Sequence, residues 1–232
     1  MKGSDAFQRA LSALQVGDTH TAERLLKKLI GSEPRNVAGL NLLAALLAKL
    51  GKFEEAEIYI RRALNESASS DASFYNYGII LKALGRPAEA LEQFNRALKI
   101  NPTVAETWIN RGTIFRDLRR YDDAIADFDK AISLNAKFAE AFCNKGNVYV
   151  ELKQHDDALA AYDRALGLNP GLPEAWIGRG NVCLGTPRII RTQPSNKRMR
   201  TNVTAGPSRI RASIPQHPPR PRRKQSKLRE EQ

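Results

Sequence analysis

Three histidines, two cysteines and a recurring asparagine are the residues of this sequence best suited to chemistry. His20, His155 and His217 lie far apart, with no nucleophile or metal-ligand partner at a fitting spacing. The run His155-Asp156-Asp157 looks like an acid–base cluster in isolation. Thirty-four residues earlier the same place holds Tyr121-Asp122-Asp123, so the acids recur and the histidine does not. Acidic residues opening a helix meet the positive end of its dipole, which gives them a structural role. Cys143 and Cys183 form no metal-like cluster, and two thiols without a disulfide framework fit a reducing, cytoplasmic compartment. Cys143 is expected on a groove wall or in packing, and Cys183 in the core. No Gly-rich loop joins a strand to a helix, so no nucleotide site is expected. The sequence thus predicts no catalytic residue, no cofactor and no metal: a non-enzymatic protein.

Asn76, Asn110 and Asn144 suggest recognition instead. They recur every 34 residues. A carboxamide carries donors and an acceptor, so it can pair with the backbone of an extended peptide whatever the peptide's side chains are. Asn147 and Asn181 add amides at a second recurring position, and Lys82 and Arg116 place cations at a third. The cations would favour acidic ligands; solvated surface charge is their plainer reading. A solvated groove is likewise the plainer reading of the asparagines.

The same spacing governs the whole body of the chain. "FYNYGIILKALGRPAEALEQFNRALKINP" (74–102), "WINRGTIFRDLRRYDDAIADFDKAISLNA" (108–136) and "FCNKGNVYVELKQHDDALAAYDRALGLNP" (142–170) align without gaps. A fixed period of this length signals stacked supersecondary units. Counting from Gly3, Val37, Asp71, Ala105, Ala139 and Pro173, the eighth position is small throughout: Ala10, Ala44, Gly78, Gly112, Gly146 and Gly180. The twentieth is Ala22, Ala56, Ala90, Ala124 and Ala158, while the twenty-fourth is bulky: Leu26, Ile60, Phe94, Phe128 and Tyr162. Small against bulky is what two closely crossing helices require. Gly85 suits the end of a first helix, Pro87 the start of a second, and Pro34, Pro102 and Pro170 are expected to stop the second helices.

This alternation of small, bulky, aromatic and proline positions resembles the tetratricopeptide repeat. The resemblance covers residues 3–184, as copies at 3–36, 37–70, 71–104, 105–138 and 139–172 and a partial copy at 173–184. It implies an all-α, right-handed superhelical α-solenoid of helix-turn-helix repeats, with first helices lining a concave groove at positions 2, 5, 6, 9, 12 and 13. It also implies a scaffold that binds a protein or peptide there. The asparagine row is similar to that in O-linked N-acetylglucosamine transferase arrays, which hold substrate polypeptide; no transferase domain follows in this sequence. The chaperone-tail clamp of the family needs Lys at position 5. That position holds Tyr75, Ile109, Cys143 and Ile177, so the clamp is not expected.

The pattern stops after Leu184. The net charge of +12 belongs almost wholly to the C-terminal segment. Residues 186–232 hold 13 Lys/Arg, 2 Asp/Glu, 7 of the 12 prolines and no aromatic residue. Such a composition cannot bury enough apolar area to order itself, so 185–232 is predicted to be a disordered, basic, Pro-rich tail. Weak polyanion binding through "RPRRKQSKLR" (220–229), and hence a nucleic-acid-associated scaffold, is the alternative function it suggests. An abrupt change inside a repeat also fits a shortened product of a longer array. The longest apolar run, "LNLLAALLAKL" (40–50), is about half of a membrane span, so no membrane role is expected. Trp176, Ile177, Val182 and Leu184 of the last helix are expected to leave apolar surface without a partner.

Overall fold

The computed structural model describes residues 2–67 and 69–185; beyond Gly185, the basic tail lies outside the described residues. Among the described residues there are eleven helices and no strand. In order they are α1 (Lys2–Gln15), α2 (Thr19–Ser32), α3 (Val37–Lys49), α4 (Phe53–Glu66), α5 (Asp71–Ala83), α6 (Pro87–Ile100), α7 (Ala105–Asp117), α8 (Tyr121–Leu134), α9 (Ala139–Glu151), α10 (His155–Leu168) and α11 (Pro173–Gly185). They form five helical hairpins and one further first helix. The register holds throughout: α3, α5, α7, α9 and α11 occupy repeat positions 1–13, and every second helix occupies 17–30.

Local chemistry sets those limits. The first helix of each of the five hairpins ends by pairing the amides of positions 15 and 16 with carbonyls of its last turn. In the third repeat Gly85 N–H donates to Lys82 C=O at 3.1 Å, and Arg86 N–H to Leu81 C=O at 2.9 Å. This termination requires a left-handed residue at position 15. Gly17, Gly51 and Gly85 supply it with φ of 80, 76 and 72°, while Arg119 and Lys153 adopt φ of 59 and 60° without the freedom of glycine.

The second helices stop for a reason the prolines do not supply. α8 ends at Leu134 although position 32 of its repeat is Ala136. An asparagine at position 31 turns the chain: the side-chain carbonyls of Asn101, Asn135 and Asn169 accept from the backbone amides of Thr103, Lys137 and Gly171 at 3.0–3.1 Å. The prolines follow the stop rather than cause it.

Packing within a hairpin depends on the small eighth position. A Cβ built at Gly78 would sit 2.6 Å from the Phe94 ring, at Gly112 2.8 Å from Phe128, and at Gly146 2.8 Å from Tyr162. No methyl group fits at such distances, so glycine here lets the helices approach. Between hairpins, a cation at position 7 reaches back to position 25 of the preceding repeat. Arg111 donates to Asn95 Oδ1 at 2.7 Å, Lys145 to Asp129 at 2.6 Å and Arg179 to Asp163 at 2.6 Å. Arg111 also forms a two-pronged pair with buried Asp127 at 2.7 and 2.8 Å and lies 4.6 Å over the Trp108 ring. Burial still lifts the Asp127 carboxyl above its ordinary value, because Arg111 offsets only part of the lost hydration.

The curvature follows from which helices touch. α3 meets α5, α5 meets α7, α7 meets α9 and α9 meets α11, whereas no two second helices make comparable contact. First helices therefore line the inner side of the solenoid.

The last first helix departs from the pattern. A Cβ at Gly180 would meet nothing within 4 Å, so this glycine is not a packing position. Gly178 takes that role, since a Cβ there would lie 2.6 Å from the Tyr162 hydroxyl. Cys183 is exposed, contrary to its expected core placement. Its equivalents Leu47 and Leu81 are fully buried within complete hairpins, and α11 has no second helix among the described residues. Trp176 and Ile177 are 54 and 63% exposed and Leu184 is exposed, as expected, but Val182 is buried.

Candidate peptide-binding groove

A residue at position 6 of a first helix lies one turn beyond the buried third position. Asn76, Asn110 and Asn144 are all half-buried there. Their hydrogen bonding differs. Asn110 donates to the Tyr75 hydroxyl at 3.2 Å and to Glu106 C=O at 3.0 Å, which ties the third repeat to the fourth. The side chains of Asn76 and Asn144 make no hydrogen bond among the described residues. In the sixth copy the ladder is interrupted, because position 6 is Gly178.

That interruption has a cause. Tyr162 stands where the two preceding repeats have Phe94 and Phe128, and its added hydroxyl points toward the groove. The hydroxyl donates to Asn147 Oδ1 at 2.6 Å and occupies the space that a side chain at 178 would need. Burial pushes the Tyr162 phenol up to about 12, so it remains a donor across neutral pH. Asn147 thereby has its carbonyl engaged, while its NH2 makes no hydrogen bond among the described residues.

Two cavities share Asn147. The larger, of about 470 Å³, gathers Arg116, Asn147, Tyr162, Gly178 and Asn181. The smaller, of about 260 Å³, is lined by Glu140, Cys143, Asn144, Asn147, Leu172 and Glu174. Asn144, Asn147, Asn181 and Arg116 are thus brought together at the C-terminal half of the groove. Asn76 and Lys82 line neither cavity and lie further toward the N-terminus.

The electrostatics are less basic than Lys82 and Arg116 suggest. Arg116 pairs with its neighbour Asp117 at 2.8 Å. Burial lowers the Lys82 ammonium below its usual range, and Arg116 adds to that, while Asp117 opposes it. Cys143, buried as expected, has its thiol pushed up to about 11 by burial first and by Glu174 and Glu140 besides. Burial also raises the Tyr75 phenol, with Glu106 and Glu140 contributing. These three glutamates recur at repeat position 2, a spacing visible in the sequence.

Among the described residues no three His, Cys, Asp or Glu side chains could hold a metal ion. No described helix is long and apolar enough to cross a membrane.

Known proteins agree with this architecture. No curated relative matches the chain. Among solved structures, a MamA protein from Desulfovibrio magneticus RS-1 is 19% identical, with a TM-score of 0.67 over 73% of this chain and 96% of its own. A tetratricopeptide repeat protein from Parabacteroides merdae is 24% identical, with a TM-score of 0.68 over 78 and 72%. YrrB, described as a TPR protein with an unusual peptide-binding site, is 20% identical, with a TM-score of 0.63 over 75 and 90%. At such identities the likeness establishes the fold. The tetratricopeptide-repeat family model matches residues 7–73, 75–141, 109–173 and 143–189, which together span the described array, and the chain belongs to that family.

Proposed function

We propose that this tetratricopeptide-repeat scaffold binds an extended polypeptide segment in its concave groove and grips it chiefly by the backbone. The observation that carries this is the state of the asparagines. Asn76 and Asn144 sit half-buried in register on the inner side with no side-chain hydrogen bond among the described residues, and the NH2 of Asn147 likewise makes none while its carbonyl is engaged. Partly buried amides left unpaired gain most from an incoming peptide bond. The peptide-binding site in the printed description of YrrB supports the reading from a neighbouring fold.

Replacing Asn76, Asn110 and Asn144 together with Ala is expected to weaken a bound extended peptide by ~2–4 kcal/mol, at ~1 kcal/mol per net hydrogen bond. The loss should be alike for peptides of different sequence, and stability should fall by no more than about 1 kcal/mol, the net worth of the Asn110–Tyr75 hydrogen bond. Calorimetric titration of parent and triple variant reads both; equal affinities would refute the ladder. The narrower reading, a substrate-holding array of the O-linked N-acetylglucosamine transferase type, rests on the same asparagine row, and no separate observation favours it. Polyanion binding by the tail concerns residues outside the described ones.

A further inference from the structure

Three carboxylates at the groove are neutralised by no ion pair among the described residues. Glu106, Glu140 and Glu174 open α7, α9 and α11 at repeat position 2, and all three are exposed. None makes an ion pair among the described residues, although most other acids of the array do. Glu140 and Glu174 line the smaller cavity of the groove beside Cys143, and Glu106 precedes them by one repeat at the same helix position. Of the nearby cations, Arg116 is paired with Asp117 and Lys82 is partly buried, while exposed Arg119 lines the larger cavity and not the one between Glu140 and Glu174.

The cavity of about 260 Å³ between Glu140 and Glu174 has a lining of matching chemistry. Leu172 and buried Cys143 give it apolar surface, Asn144 and Asn147 add amides, and the two carboxylates lie on its wall. A lysine or arginine side chain has the complementary build, with an aliphatic stem to cover the apolar part and a cationic head for the carboxylates. An extended chain directs alternate side chains to the same side, so one strip of a bound segment would meet all the glutamates. We propose that the groove selects a basic segment of a partner protein, with one Lys or Arg side chain seated between Glu140 and Glu174. This rests on the groove reading above and adds the chemistry of the occupant.

The test uses the full chain and three fluorescein-labelled peptides that alternate Ala with Lys, Gln or Glu, followed by anisotropy. The Lys peptide should bind about tenfold more tightly than the Gln peptide, and the Glu peptide more weakly than either. The double variant Glu140→Gln/Glu174→Gln should erase the Lys preference and leave Gln-peptide affinity unchanged. Glu54→Gln/Glu92→Gln, on α4 and α6 away from the groove, should keep the preference. A Lys peptide that binds no better than the Gln peptide, or a preference that both double variants lower equally, overturns the proposal. The asparagine triple variant separates the two readings. If it weakens the Gln peptide while Glu140→Gln/Glu174→Gln changes nothing, the groove stands and the basic pocket falls.

Discussion

At the scale of single residues, position 15 shows how one backbone demand is met by unequal means. Lys153 is exposed and holds a left-handed φ of 60° that glycine meets freely in three other repeats. A side chain there costs ~1–2 kcal/mol, while glycine loses ~0.5–1 kcal/mol more entropy on folding. Lys153→Gly is therefore expected to stabilise the array by about 0.5–1 kcal/mol in denaturant titration. A lowered midpoint would show that the lysine makes a contact worth more than its strain. The two thiols offer a second residue-level check. Cys183 is exposed, whereas Cys143 is buried with its thiol raised to about 11. An aromatic disulfide reagent at neutral pH should titrate one thiol rapidly and the other only on unfolding. The pH dependence has a definite sign: the fold favours neutral Cys143, so its contribution is complete below the ordinary thiol range and is lost as pH rises toward 11. Cys143→Ala should show a smaller alkaline loss of stability, and equal labelling rates for both thiols would contradict the burial.

At the scale of elements, the helix pairs were legible in the sequence because their limits are written in local chemistry repeated along the array. The departures come from interactions that no single repeat displays. Position 8 marks close packing only where a second helix lies against it, so Gly112 and Gly180 look alike in sequence and differ in the fold. A Cβ at Gly112 would lie 2.8 Å from the Phe128 ring and 3.1 Å from Asp127 Cβ, while at Gly180 it meets nothing within 4 Å. Gly112→Ala should cost ~1–3 kcal/mol through displacement of that ring. Gly180→Ala should instead gain up to ~1 kcal/mol from helix propensity. Thermal unfolding of the pair checks this, and equal destabilisation would mean that α11 is covered as the earlier first helices are. Gly178 is silent in the sequence for the converse reason: its role is imposed by the far edge of the Tyr162 ring, with its hydroxyl, in the preceding repeat. The asparagines at position 31 were equally visible but stood beside prolines that offered a sufficient stop.

At the scale of the whole molecule, the array turns a 34-residue spacing into an inner surface with two kinds of chemistry. Amides run along its middle and unpaired carboxylates along one edge. The amide row could be found from the sequence because its residues recur in type. Which amides are already engaged could not, since Asn110 meets Tyr75 and Asn147 meets Tyr162 across positions that only the fold makes neighbours. The electrostatic state of Lys82 and Arg116 was hidden for a related reason, since burial and the Asp117 pair arise only in the fold. The competing place for a ligand is the exposed end, where the Trp176 indole is fixed by donating to Pro170 C=O at 2.9 Å. Both places carry an N–H reporter. In a nitrogen–proton correlation spectrum of the full chain, addition of an extended Lys-Ala peptide should shift the side-chain NH2 signals of Asn76, Asn110 and Asn144 and leave the Trp176 indole signal in place. A shifted Trp176 indole with unmoved asparagine amides would contradict the groove as the binding site.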